Sequence, residues 1–277
     1  MTDAKLLAGD FKFLEAPKWR DDRLWVSDVF DEKVFSVGLD GSREVVAVVP
    51  GRPAGQDFLP DGRHVVISGK DGTILEVKNG TTEVYADLNG LRKGNLNDFA
   101  IDAQGRIYVG DFGYDYDSGE EPAPTKLFRV DLDKTVSIAA EGVNFPNGSV
   151  ILNDGQLLVV NETWEAQIVA YDIAADGTLS NRRIFADLAS SQPDGMCADA
   201  EGGVWVGCFN TGEFLRVLDG GEITDRFQFD GRAISCTLGG KDGKMLFMTV
   251  FEGPVEEIAT DARKSAIYMA QVKVAGA

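Results

Sequence analysis

Short apolar runs rich in Val, Ile, Phe and Tyr recur along the whole chain, separated by Asp-Gly, Asn-Gly and Gly-Gly pairs. Runs of this length between turn residues read as β-strands. No long segment carries the 3.6-residue apolar period of an amphipathic helix, so an all-β fold with scarce helix is expected. One pattern repeats, a turn followed by a short apolar strand: Asp22-Arg-Leu-Trp-Val-Ser, Gly62-Arg-His-Val-Val-Ile-Ser, Gly105-Arg-Ile-Tyr-Val-Gly, Gly155-Gln-Leu-Leu-Val-Val, Gly202-Gly-Val-Trp-Val-Gly and Gly243-Lys-Met-Leu-Phe-Met-Thr. Their first residues lie 40, 43, 50, 47 and 41 positions apart. A further strand follows in every unit, as at Lys33-Val-Phe-Ser-Val and Glu213-Phe-Leu-Arg-Val, and several units show another after the next turn, as at Thr82-Glu-Val-Tyr-Ala-Asp.

Six units of this length match the four-stranded blades of a propeller. The sixth runs out near Val274 before its last strand appears, and Ala4-Lys-Leu-Leu-Ala-Gly has the missing strand's character. The N-terminal strand is therefore predicted to complete the last blade, closing the ring and protecting its edges. The expected organisation is a single six-bladed β-propeller domain over residues 1–277; the competing architecture is a two-sheet sandwich with coincidental spacing.

Superposed units put the residue just ahead of each innermost strand at the same place around the central channel. Counting back six to eight residues from each turn gives Glu15, Gln56, Asn97, Asn147, Asp194 and Ser235, all with side-chain oxygen. Carboxylates and amides converging on a channel mouth suit a hard cation. Any one of them alone is as readily a turn or strand-start residue satisfying nearby backbone. Glu15 and Asp194 would face each other with like charge, which a divalent cation would compensate.

Charge and composition narrow the chemistry. The chain carries 27 Lys and Arg against 45 Asp and Glu, a net charge of −18. That sign repels phosphate backbones and anionic lipid, so neither nucleic acid nor membrane is an expected partner. A single histidine, His64, excludes a His-rich zinc site, an HExxH helix and paired imidazoles. Its place inside a strand reads as structural. No segment approaches the ~18 apolar residues of a membrane span. The start Met1-Thr2-Asp3-Ala4-Lys5 lacks the basic and then apolar run of a secretory signal, so a cytoplasmic location is expected. Cys197, Cys208 and Cys236, odd in number and without a CxxC, read as buried reduced thiols. Trp25 and Trp205, inside apolar strands, read as core between blades.

Longer words are more specific. Gln192-Pro-Asp-Gly-Met-Cys-Ala-Asp-Ala-Glu-Gly-Gly-Val-Trp-Val206 stands with Glu15-Ala-Pro-Lys-Trp19, with Asn97-Asp98 leading to Asp102-Ala-Gln-Gly-Arg106, and with Phe145-Pro-Asn-Gly148. Ser180-Asn-Arg-Arg183 and Ser235-Cys236 before Gly239-Gly240 complete the set. Together these words, spread from 15 to about 250, resemble the senescence-marker-protein, gluconolactonase and luciferin-regenerating enzyme family. The resemblance implies a six-bladed propeller with one divalent metal ion, calcium, magnesium, manganese or zinc, in the channel. Carried over residue by residue, it puts metal ligands on Glu15, Asn147 and Asp194, and a channel asparagine in contact with substrate or a metal-bound water on Asn97. Family members that open aldonolactones carry an Arg two residues before that asparagine. This chain has Asn95 there, and losing a multi-donor cation weakens the case for a highly hydroxylated sugar lactone. The family's Glu-Gly-Pro word is Glu15-Ala16-Pro17 here, a change from which no consequence is expected.

The chemistry expected is metal-assisted hydrolysis of a lactone or similar activated ester, with charge growing on the carbonyl oxygen stabilised by the ion. Asp194 is the catalytic group, as base or nucleophile; Asn97 and Asn95 orient the substrate, and Gln56 joins them from the ring. The insertion Asp111–Thr125 places Phe112, Tyr114 and Tyr116 in a loop over the mouth, or forms a solvated connector, while Trp164 and Phe209-Asn210 border the same pocket. Asp115, Asp117 and Glu120 lack EF-hand spacing. Two other readings stay open: a phosphotriesterase or other ester hydrolase using the same residues, and a ligand-binding propeller without catalysis, since fold does not fix function.

Overall fold

The computed structural model describes residues 4–277; Met1–Asp3, which head the segment from which a cytoplasmic location is read, lie outside the described residues. Strand makes up 57% and helix 2% of the structure, as the lack of helical periodicity leads one to expect. Six four-stranded antiparallel sheets stand around a ring. Their innermost strands are Leu14–Arg20, Pro53–Phe58, Leu96–Ile101, Pro146–Leu152, Pro193–Ala198 and Arg232–Gly239. Each touches the next, and the last touches the first. In blades 1 to 5 the four strands follow one another in sequence order. Blade 6 runs from Arg232–Gly239 through Met245–Phe251 and Ser265–Gln271 to the N-terminal Lys5–Phe11 on its outer edge, with Lys5 opposite Met269 and Phe11 opposite Ser265. The predicted closure is thus present, and the sandwich is excluded. No helix among the described residues is long and apolar enough to cross a membrane.

The core is divided among the interfaces. Every pair of adjacent blades encloses its own apolar cluster, for example Val65, Ile67, Phe99 and Val109 between blades 2 and 3. Phe11, Leu14, Val26, Phe247 and Ile267 fill the seam between blades 6 and 1. A middle strand buried on both faces reads as a continuous apolar run; His64–Ser68 and Leu157–Glu162 are buried at every position. Trp205 is buried between blades 5 and 6. Trp25 packs edge-on against Phe58 and His64 between blades 1 and 2. His64 Nε2 lies 2.8 Å from Gln56 Oε1, and burial holds the imidazole pKa down to about 4. The structural reading of this histidine therefore holds. Cys208 and Cys236 are buried and Cys197 half-buried; all three are free thiols, the sulfurs of Cys197 and Cys236 lying 3.8 Å apart.

Candidate metal centre and ligand cavity

Strand register identifies which residues are equivalent around the channel. The innermost strands begin pairing at Leu14 opposite Asp28, Pro53 opposite Ser68, Leu96 opposite Asp111, Pro146 opposite Glu162, Pro193 opposite Cys208 and Arg232 opposite Phe251. One residue on, the ring reads Glu15, Ala54, Asn97, Asn147, Asp194 and Ala233. Four of the six expected positions hold; Gln56 and Ser235 do not. The spacing from ring to turn is not constant. Eight residues before Gly62 is Ala54, whereas in blade 6 a longer innermost strand puts Ala233 ten residues before Gly243. Gln56 lies outside the cavity, fully buried, donating from Nε2 to the Ala16 carbonyl at 3.3 Å and accepting at Oε1 from His64. Ser235 is buried against Thr249, whose Oγ1 accepts from its backbone N–H.

The four polar ring residues form the floor of a cavity of about 380 Å³ at the channel mouth, within the size range of small-molecule sites. In every blade the pairing slips just past the strand's start, as between Glu15 and Lys18 or Pro146 and Ser149. Such a bulge re-aims the side chain beside it. Glycine then lets neighbouring innermost strands touch: a Cβ on Gly148 would lie 2.5 Å from the Asp194 carbonyl oxygen, and one on Gly195 would collide with the Ser235 side chain. Asn161 Nδ2 donates to the Asp194 carbonyl at 2.6 Å, and Thr163 Oγ1 donates to the Pro193 carbonyl at 2.7 Å while accepting from Asn147 Nδ2 at 3.3 Å. Asn97 Nδ2 reaches the Pro146 carbonyl at 3.4 Å.

The floor is electrostatically uncompensated. Burial, followed by the charges of Asp194 and Asp98, pushes the Glu15 carboxyl well above its usual range. Burial and Asp98 push Asp194 up to about 8, against a lowering hydrogen bond from Asn147. The nearby cation is engaged elsewhere: Lys18 pairs with Asp57 at 2.9 Å, and although burial depresses its ammonium, Asp57 and Asp98 raise it on balance. Among the described residues no Lys or Arg forms an ion pair with Glu15 or Asp194, and no three His, Cys, Asp or Glu side chains gather as a metal site. The set is two carboxylates and two amides, all oxygen donors. Such donors, two of them carboxyls that burial and like charge keep from ionising alone, fit a hard divalent cation.

A second tier stands above the floor. Side chains two residues apart on a strand share a face, and two residues before each ring position are Phe13, Arg52, Asn95, Phe145 and Gln192, all lining the cavity, with Gly231 in blade 6. Only Asn95 was expected; carrying its offset around the ring finds the others. Phe112 and Trp164 line the cavity as predicted, Phe145 lying between them with ring centroids 4.5 Å from Phe112 and 5.0 Å from Trp164. Phe209 and Tyr116 also line it, whereas Tyr114 is buried beneath and Asn210 instead bonds the Gln192 N–H and the Ser190 carbonyl. The insertion covers the mouth rather than standing free as a connector, because Asp117 holds Arg52 at 3.0 Å and Lys70 at 3.4 Å. Phe30, Val255 and Ile258 complete the rim from parts of the chain that carry no repeat signal.

One expectation about the floor is overturned. Ala16, next to Glu15, has φ of 45°, in the left-handed region where a Cβ costs ~1–2 kcal/mol. Alanine in place of glycine in this word therefore strains the backbone beside the Glu15 carboxylate.

Comparison with known proteins agrees with this architecture. Regucalcin from Danio rerio is 28% identical over 249 residues, covering 85% of this chain and 81% of that protein. Human regucalcin is 29% identical over 236 residues, 80% of this chain and 73% of the relative. Among solved structures, a calcium-binding regucalcin from Agrobacterium tumefaciens superposes with a TM-score of 0.83 at 18% identity, covering 100% of this chain and 96% of that one. A gluconolactonase from Xanthomonas campestris gives 0.81 at 22% identity, covering 98% and 90%. The SMP-30/Gluconolactonase/LRE-like region model matches residues 13–252, a span that contains the whole floor, and the chain belongs to that family.

Proposed function

We propose that the protein is a divalent-metal-dependent hydrolase that opens a lactone or a related activated carboxylic ester in the cavity at the channel mouth. The observation that carries this reading is the pair of buried carboxyl groups, Glu15 and Asp194, lying with Asn147 on one cavity floor with no Lys or Arg among the described residues paired to either. Membership of a family that includes gluconolactonases supports the reaction class. Glu15, Asn147 and Asp194 would hold a divalent ion, which when bound would supply Lewis-acid polarisation of the substrate carbonyl. Asp194 provides the carboxylate that takes the proton of an attacking water or attacks directly. Asn97 hydrogen bonds the substrate and fixes its ring against the floor. The apolar walls exclude bulk water, which strengthens every charge interaction below them.

Metal analysis of the purified protein, followed by hydrolysis assays on short lactones, a sugar lactone, an aryl ester and a phosphotriester with and without chelator, tests the proposal. Bound divalent ion and lactone turnover that chelator abolishes and added ion restores are expected. Turnover of the phosphotriester alone would move the protein to another ester class. No bound ion and no chelator-sensitive turnover would make it a binding propeller.

A further inference from the structure

The floor and the walls of the cavity have opposite chemistry. Above Glu15, Asn97, Asn147 and Asp194, one side of the mouth is built by blade 1, where Phe13 and Phe30 meet edge-on at 5.9 Å and Phe251 backs Phe13 at 6.0 Å. The other side is the continuous Phe112, Phe145 and Trp164 stack from blades 3 and 4. Blade 4 stands across the ring from blade 1, since contacts run in order around six blades. Two aromatic faces thus oppose each other over a polar floor. Trp164 is 41% exposed and Tyr116 56% exposed at the mouth, the kind of uncovered apolar surface that marks a binding site.

Polar groups in the walls are few, and most are already engaged. Arg52 is bound to Asp117 through Nη1 at 3.0 and 3.1 Å and lies over the Phe30 ring at 5.2 Å. Thr163 has its hydroxyl between Asn147 and the Pro193 carbonyl. The Asn95 and Gln192 amides, and at the rim the exposed Glu256 carboxylate, remain open to a ligand. A hydroxyl buried without a partner loses its hydration uncompensated, whereas each buried CH₂ tightens binding by about 3- to 4-fold. We infer that the cavity selects a lactone or ester bearing an alkyl or aryl substituent, held between the two aromatic faces with its carbonyl on the floor, and discriminates against polyhydroxylated rings. This rests on the hydrolase reading above and names its substrate class.

The test is a homologous series of alkyl-substituted γ-lactones, from methyl to heptyl, assayed with the metal-loaded protein beside glucono-δ-lactone. The matching alkyl lactams, which are not hydrolysed, are titrated calorimetrically against metal-free and metal-loaded protein. The kcat/KM is expected to rise about 3- to 4-fold per added CH₂ until the cavity is full, with the longer members exceeding glucono-δ-lactone by about 100-fold. Lactam Kd is expected to fall in parallel, and Trp164→Ser and Phe112→Ser should each flatten both slopes. Lactone turnover with a flat chain-length dependence, or with glucono-δ-lactone preferred, overturns the inference and leaves the hydrolase reading standing. Chain-length-dependent lactam binding with no turnover of any lactone does the reverse. A lactam series without length dependence overturns the apolar selectivity whatever the assays show.

Discussion

At the ring position, blades 1, 3, 4 and 5 carry Glu15, Asn97, Asn147 and Asp194, while blades 2 and 6 carry Ala54 and Ala233. Both groups own a buried polar side chain nearby. In blades 2 and 6 it sits two residues farther along the strand, as Gln56 and Ser235, and its bonds go to His64, to the Ala16 carbonyl and to Thr249. Polar side chains one pleat apart thus serve different ends: those on the floor face the cavity, and those behind it are satisfied by neighbouring protein groups. An oxygen-bearing side chain faces the channel only at the ring position itself, one residue past the first pair of the innermost strand.

The largest test of this contrast is Asp194→Ala. Lactone turnover should fall by on the order of 10²–10³-fold, while the metal-free protein keeps its thermal midpoint near neutral pH, where burial leaves the Asp194 carboxyl protonated and without an ion pair to lose. Unchanged turnover would remove Asp194 from the chemistry. Next, Gly148→Ala forces a Cβ into the Asp194 carbonyl 2.5 Å away. It should cost about 1–3 kcal/mol in denaturant unfolding and weaken divalent-ion binding, because it separates the strands that present Asn147 and Asp194. A comparable effect is expected from Gln56→Ala, about 1–3 kcal/mol for the partner it leaves buried and unsatisfied, but with ion affinity unchanged by calorimetry. Weaker ion binding in that variant would return Gln56 to the floor.

Acidity separates the two groups by sign. His64 is neutral in the fold, its pKa held at about 4 against about 6.5 in an unfolded chain. Between those values the unfolded state binds more protons, so stability drops as pH falls from about 6.5 to 4. Asp194, raised to about 8 without a cation, does the opposite: the folded state binds the extra proton, and the metal-free protein gains stability as pH falls from about 8 towards 4. Unfolding curves across pH should show the acid-side loss with and without metal, and the gain only without it. The smallest effect is Ala16→Gly, expected to raise stability by about 1 kcal/mol by relieving the strained φ, with no such gain from Ala54→Gly.

The turn words and strand runs were enough to read the six blades and the clasp by the N-terminal strand, because every blade repeats the same alternation of turn and buried middle strand. Four floor residues were legible for the same reason, reinforced by specific words such as Pro193-Asp194-Gly195. Gln56 was misplaced because a count of only six in blade 2 reaches a polar residue, whereas the eight residues that separate ring and turn in blades 3 to 5 lead to Ala54. The upper tier was legible in principle from the two-residue strand period, although Asn95 was singled out only by the family resemblance. The Arg52 and Asp117 pair was not. It joins the segment leading into blade 2 to the insertion in blade 3, and only the packing of these two neighbouring blades brings them together.

The clasp in blade 6 also sets the order in which the molecule is made. Lys5–Phe11 is synthesised before every other strand of the ring, yet its partner, Ser265–Gln271, comes after all of them. Until then Leu14, Leu24 and Val26 lack the Phe247 and Ile267 surface that buries them. The nascent propeller is thus an open arc with two unsatisfied ends, and pairings such as Lys5 with Met269 span nearly the whole chain. Contacts of that sequence separation slow folding, and an arc with sticky ends is a candidate for joining another arc before it joins itself.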